Sequence, residues 1–282
     1  MDGNIILTQQ KSARRHAVRY TGTMSSRPVI VWFRADLRVH DHPALAAACR
    51  DAEQIIPLFV FDERILKGKF ASSNRNRFLL ECLKDLKHSL EEKGGNLVVR
   101  SGSPETILVE LAKETDAKAV YYSGDFTPYA LSRDKQVEDA LKSHDIEARS
   151  FDGKLAVTGV MNIKTRGGDP YRVFTPFWKS WANVQRRDVA PTPRSISLPQ
   201  LTVGSLPALD DLTSKAELSD DAAAGGETEA RKALSAFLDE NIDDYGSAHN
   251  DMGADQTSRL SPYLHFGCLS PREIETQLPD SA

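Results

Sequence analysis

Three short hydroxyl side chains, Thr257, Ser258 and Ser261, cluster in the run TSRLS near the end of the chain. Hydroxyl donors beside the free backbone N–H groups of a helix start can hold a phosphate or pyrophosphate. The same cluster serves equally as a helix cap, so alone it leaves both readings open. No glycine-rich phosphate loop accompanies it. After the first strand-like run the sequence reads FRADLR, not GxGxxG, which disfavours an ordinary NAD-binding domain. Cys49, Cys82 and Cys268 lie far apart with no CxxC pair. That pattern argues against a disulfide framework or a thiolate zinc site and for a reducing, cytoplasmic setting.

The formal charge is −4, from 36 basic and 40 acidic residues, and it is unevenly spread. Residues 210–255 hold thirteen acidic and three basic residues, a balance of −10, so the rest of the chain sums to +6. A uniformly basic nucleic-acid binder is excluded, but a local basic face is not. No apolar run approaches the ~18 residues of a membrane span, and no membrane partner is expected. Residues 1–27 are polar and basic and read as a disordered extension. A nucleic-acid arm, a mitochondrial transit peptide or a true start at Met24 are the alternatives.

The elements that must position any site follow from periodicity. Apolar or β-branched runs at 28–33, 54–62, 96–100, 119–123 and 146–151 read as strands. Helical patterns fall between them, at about 43–50, 73–93, from Ser103-Pro104-Glu105 onward, and 128–144. Strand–helix alternation implies parallel pairing through right-handed crossovers. The expected fold is α/β, a doubly wound five-stranded parallel sheet over residues 28–152. Residues 153–228 read as a connector, because Pro191, Pro193, Pro199 and Pro207 punctuate a Ser- and Ala-rich stretch. Within it, 173–187 predicts a short helix whose Phe177, Trp178 and Trp181 belong to a core. From 229 the strand signals vanish and helical ones follow, with Ser270 and Glu273 at capping-box spacing. The segment 229–282 reads as the beginning of an all-helical domain with too little chain for its own core. Its apolar residues, among them Leu234, Phe237, Leu260, Tyr263 and Leu264, are expected to stay exposed and the segment mobile or sticky.

The stretches VWFRADLRVHDHPAL, PLFVFDERIL, YRVFTPFWKSW and TSRLSPYLHFGCLSPREI, in this order, resemble the DNA photolyase and cryptochrome family, most closely the bacterial cyclobutane-pyrimidine-dimer photolyases. The resemblance spans about residues 28–278. It implies an α/β antenna domain, a connector and a helical domain holding FAD. It implies a light-driven enzyme that passes an electron from reduced flavin into a pyrimidine dimer, with UV-damaged DNA as partner and a monomer as the working form. The implied flavin contacts are Tyr245, Thr257, Ser258, Arg259, Leu260 and Ser261. His249 stands where the family commonly has a phosphate-binding arginine, and it is a weaker phosphate ligand. With the family's strand order, the antenna crevice lies beyond strands one and four, near Arg34, Asp36, Asp125 and Tyr129. The alternative there is an Arg34–Asp36 ion pair with Asp125 capping a turn. The Asn-Glu pair of folate-binding relatives is absent near Tyr129-Ala130, which leaves a deazaflavin, another flavin or an empty pocket as the antenna. The resemblance also implies that the flavin-ring pocket lies beyond these motifs, so weak flavin binding and no repair are expected of residues 1–282 alone. A cryptochrome-like photoreceptor and a stand-alone nucleotide-binding α/β module are the competing readings.

Overall fold

The computed structural model describes residues 25–66, 68, 72–213, 218–251, 253 and 256–279. Met24 and the residues before it lie outside the described residues. Ser25 already joins the fold, bridging Ala52, and Arg27 pairs with Asp116.

Five strands, β1 (Val29–Phe33), β2 (Ile55–Phe61), β3 (Val98–Ser101), β4 (Ala119–Ser123) and β5 (Glu147–Phe151), form one sheet in the order β3-β2-β1-β4-β5. Every pairing is parallel, with Val29 opposite both Ile55 and Ala119. The connecting helices are α1 (Pro43–Asp51), the short α2 (Glu63–Leu66), α3 (Ser73–Glu91), α4 (Pro104–Thr115) and α5 (Pro128–Lys142). Alternate residues of β1 serve opposite layers, as the two-residue period of a strand requires. Val29, Val31 and Phe33 join the core beneath α1 and α3, while Ile30 and Trp32 join the core beneath α4 and α5.

The rest of the chain adds α6 (Phe174–Ala182), α7 (Leu209–Leu212), α8 (Glu227–Glu240), α9 (Tyr245–Ala248), α10 (Ser261–Phe266) and α11 (Pro271–Gln277). Two expectations fail here. The aromatic cluster of α6 is not core: no residue of that helix is buried, and Trp178 is exposed. Nor is the C-terminal segment an unpartnered face. Ala230, Leu234, Leu260, Tyr263 and Leu269 are buried in the same core as α3, with Phe78 in ring contact with Tyr263 at 5.5 Å and with Phe266 at 5.1 Å. Buried Cys82 and Cys268 face each other across this seam, their Sγ atoms 3.4 Å apart. Each large side chain so buried contributes roughly 1.5–3 kcal/mol. The acidic composition hid the interface, because Glu227 is itself buried and hydrogen-bonded.

The connector is sewn to the sheet. Ile55 N–H donates to Ser197 O at 2.8 Å, Ile196 N–H to Lys93 O at 2.7 Å and Val99 N–H to Val203 O at 2.7 Å. The last of these covers the outer edge of β3, an edge that would otherwise invite strand pairing. Gly204 has φ 77, and a Cβ there would meet Val99 O at 2.5 Å, so only glycine admits this approach.

Candidate cofactor sites at the carboxyl ends of the strands

The loop after β1, residues 34–42, ties three parts of the chain together. Arg38 is buried and donates to four carbonyls: His40 O at 3.1 Å, Asp41 O at 3.0 Å, Gly153 O at 2.7 Å and Gly267 O at 3.0 Å. Burial lowers its pKa, against the opposing charges of Asp36, Asp41 and Glu227. The Glu227 carboxylate, at the start of α8, accepts from Val39 N–H at 2.7 Å and His40 N–H at 3.1 Å. Asp41 holds Arg187 in a fork at 2.5 and 2.6 Å and accepts from Ala190 N–H at 2.6 Å and from Ser270 Oγ. Burial alone would raise the Asp41 pKa, but Arg187, Ser270 and the Ala190 N–H outweigh it and hold the group below the ordinary range. Gly267, at φ 69, passes so close that a Cβ would sit 2.1 Å from Ala35 O.

Of the residues expected at the antenna, Arg34 and Asp36 belong to this scaffold and not to each other's side chains. Arg34 donates to Asp134 and to Ser123 O, and its guanidinium lies 4.5 Å from the Trp32 ring and 4.9 Å from that of Tyr122. Asp36 is fully buried, with His42 Nε2 3.0 Å from its Oδ2 and the Arg34 backbone N–H at 2.7 Å from its Oδ1. His42 Nδ1 accepts from Leu45 N–H at 3.1 Å, capping α1, so its proton is on the nitrogen facing Asp36. Burial pushes the Asp36 pKa up, yet His42 and the other donors more than reverse this and depress it strongly. Asp125 caps a turn, accepting from Phe126 N–H at 2.7 Å and Thr127 N–H at 3.1 Å, and pairs with Lys154. Those contacts bring its pKa down to about 2 despite burial. The switch point between β1 and β4 is therefore taken up by the protein's own groups.

Tyr129 does line a cavity, one place over. A cleft of about 480 Å³ opens between α2, α3, the start of α5 and α10, walled by Leu66, Leu79, Phe266 and Tyr129 and edged by Arg64, Arg75, Asn76 and His265. Tyr129 Oη donates to Asp62 at 3.1 Å, and Asp62 in turn holds Arg64, which also forks onto Glu105. Burial, then the cations Arg75 and Lys154, lower the pKa of His265. A second cleft of about 420 Å³ shares Arg75, His265 and Phe266 and continues to Asn74, Phe78 and Ser261. Arg64 and His265 lie in the segments DERIL and LHFG, but nothing local in the sequence marks them or Arg75 as cleft residues. No periodicity marks a polar residue that lines a cleft formed by distant elements.

The hydroxyl cluster does not open a helix as a block. Thr257 and Ser258 precede α10, Arg259 adopts φ 48, Leu260 is buried as an anchor, and only Ser261 enters the helix. Thr257, Ser258 and Ser261 hydroxyls have no hydrogen-bond partner among the described residues. A capping role would have used them, whereas an incoming phosphate chain requires such free donors. Tyr245 is 41% exposed, edge-on to Phe237 at 5.5 Å and stacked on His249 at 5.2 Å. His249 Nδ1 donates to Tyr245 O at 2.8 Å, leaving Nε2 directed elsewhere.

The family model for DNA photolyase matches residues 29–196. The chain belongs to the DNA photolyase family. The deoxyribodipyrimidine photo-lyase of Streptomyces griseus is 36% identical over 246 residues, covering 87% of this chain and 54% of that protein. Cryptochrome DASH of Gloeobacter violaceus is 34% identical, covering 90% of this chain and 54% of its own length. Among solved structures, a bacterial class III photolyase from Agrobacterium tumefaciens superposes with a TM-score of 0.79 at 29% identity, over 92% of this chain and 54% of that one. The chain thus spans about half the length of the relatives it matches. A Synechocystis cryptochrome superposes as well, with a TM-score of 0.80 at 28% identity over 90% of this chain and 56% of that one.

Proposed function

We propose that this chain supplies the antenna domain and the flavin-phosphate contacts of a deoxyribodipyrimidine photo-lyase, a monomer that acts on cyclobutane pyrimidine dimers in UV-damaged DNA. One observation carries the reading most strongly: the free hydroxyls of Thr257, Ser258 and Ser261 stand on a segment locked to the sheet by Arg38 and Gly267, one cleft away from Tyr129. In this reading the three hydroxyls donate to the pyrophosphate oxygens of FAD. Tyr245 flanks it, and His249 is the position nearest the DNA phosphates. When bound, reduced FAD supplies light-driven donation of an electron to the dimer, which splits and returns it. The cleft at Tyr129 takes the antenna chromophore. Its apolar walls exclude water from a planar ring, and Arg64, Arg75, Asn76 and His265 edge it with polar groups. Arg34, Asp36 and Asp125 act there as scaffold beneath the ligand.

Because these contacts reach the phosphate end of the cofactor, ADP and FAD should bind this chain with similar affinity, while riboflavin should not compete. Calorimetric titration with the three ligands checks this, and T257A/S258A/S261A should remove binding of both nucleotides. Riboflavin binding as tightly as FAD would sink the assignment. The similarity to cryptochrome DASH supports a photoreceptor as the second reading.

A further inference from the structure

Two sulfur atoms meet in the seam between the sheet domain and the helical segment. Cys82 stands one turn after Phe78 on α3, the residue whose ring meets Tyr263 and Phe266. Cys268 follows Gly267 at the end of α10, and its N–H donates to Tyr263 O at 2.8 Å. Both cysteines are fully buried, and their Sγ atoms are 3.4 Å apart although 186 positions separate them in the chain. Gly225 keeps the space beside Cys82: a Cβ there would sit 3.0 Å from its Sγ. The third cysteine, Cys49, is partly buried and lies on α1.

A disulfide holds its sulfurs at about 2.05 Å, so an approach of roughly 1.4 Å separates this pair from a bond. While the seam is shut the thiols are inert. The neighbouring Cys268 and burial both push the Cys82 thiol pKa up, and the thiolate is the species that attacks. Reaction therefore requires the α10–α11 side to lift from α3. One thiolate then attacks a small soluble disulfide, forming a mixed disulfide and releasing one small thiol. When the seam closes again, the second cysteine, held against the first, displaces the other small thiol. The Cys82–Cys268 bond forms and the bond of the small disulfide breaks. Two electrons pass from the cysteines to the small disulfide, and the two cysteine protons end on the released thiols.

We propose that Cys82 and Cys268 form a redox clasp, which an oxidising pool of small disulfides closes to lock the segment bearing Thr257, Ser258 and Ser261 onto α3. The clasp goes beyond the proposed function, since it requires no flavin, DNA or light. The probe is glutathione disulfide, applied to the whole chain after dithiothreitol has been removed. Thiols titrated in denaturant should fall from three to one, and an unreduced digest should yield a Cys82–Cys268 cross-linked peptide that dithiothreitol splits. Closing so long a loop should raise the urea midpoint by on the order of 1 M, and hydrogen exchange should slow in 257–270. G267A, which loosens α10, should close the clasp faster than the parent chain. C49S should behave as the parent, whereas C82A and C268A, with one sulfur each at the seam, should show neither the higher midpoint nor the slower exchange. Glutathione carried singly on Cys82 or Cys268, a bridge to Cys49 or between two chains, or three thiols left untouched would each overturn the proposal. So would a cross-link that leaves the midpoint and the exchange of the parent chain unchanged.

Discussion

Asp41 shows how much one carboxylate carries. It adopts φ 45, is buried, and gathers Arg187, Ser270 and the Ala190 N–H around itself. Removing one partner of such a pair leaves the other buried and uncompensated, at a cost of roughly 3–5 kcal/mol. D41A should therefore lower stability by that order in urea denaturation. The pH dependence follows from the depressed pKa of Asp41 and, more strongly, of Asp36. A carboxylate whose folded pKa lies below its unfolded value, about 3.9, adds stability that is complete above that value. The stability is lost as pH falls through the folded pKa. Denaturation midpoints should thus decline gently below about pH 6.5, where His265 with its lowered pKa resists protonation in the folded protein, and fall steeply below about pH 4, and D36N should show a shallower steep limb. An acid limb of unchanged slope in D36N would contradict this assignment.

At the scale of elements, the position of α10 depends on a close backbone approach. Gly267 ends α10 in the left-handed region while Phe266 O accepts from Leu37 N–H at 3.2 Å and Gly267 O accepts from Arg38. A methyl group at 267 collides with Ala35 O, which is backbone and cannot swing away. G267A should destabilise the protein by about 1–3 kcal/mol from backbone strain, and the collision adds to it. Hydrogen exchange should then accelerate in 257–270 while the amides of β1 and β4 stay protected. Because α10 carries Ser261 and His265, both clefts should loosen with it, and ADP affinity should fall although no contact residue has changed. Equal acceleration across the sheet would show that the loop 34–42 is not the local lock described here.

At the scale of the whole molecule, the helical segment and the sheet share one core. A chain ending after residue 212 would uncover the faces of α3 that bury Leu234, Leu260, Tyr263 and Leu269. With roughly 1.5–3 kcal/mol forfeited per large side chain, that shortened chain should unfold at markedly lower urea and bind a hydrophobic dye. An unchanged midpoint would mean that the two parts are energetically separate. Limited proteolysis should spare residues 196–203, whose backbone is bonded to Lys93, Ile55 and Val99.

The parallel sheet and its crossovers were legible in the residues alone. Buried strands such as VIVWF are continuous apolar, β-branched and aromatic runs, helices such as 73–91 carry a 3.6 repeat, and both signals are local. The hydroxyls of TSRLS were legible for the same reason, as an unusual local chemistry. Three matters were decided only by tertiary structure. Phe177, Trp178 and Trp181 look like core, but whether an apolar face is buried depends on chain elsewhere; here Phe177 meets Tyr171 and Trp181 meets Arg186 at the surface, and Trp178 stays exposed. Leu234 and Tyr263 look unpartnered, yet α3 offers them a matching face across more than 140 residues of sequence. Arg34 and Asp36 look like ligands because they follow β1, but Asp134, the Ser123 carbonyl and His42, brought in by other elements, engage these side chains in the scaffold. Composition and period report what a segment can bury or bond; which atoms meet it is settled only when distant segments close on one another.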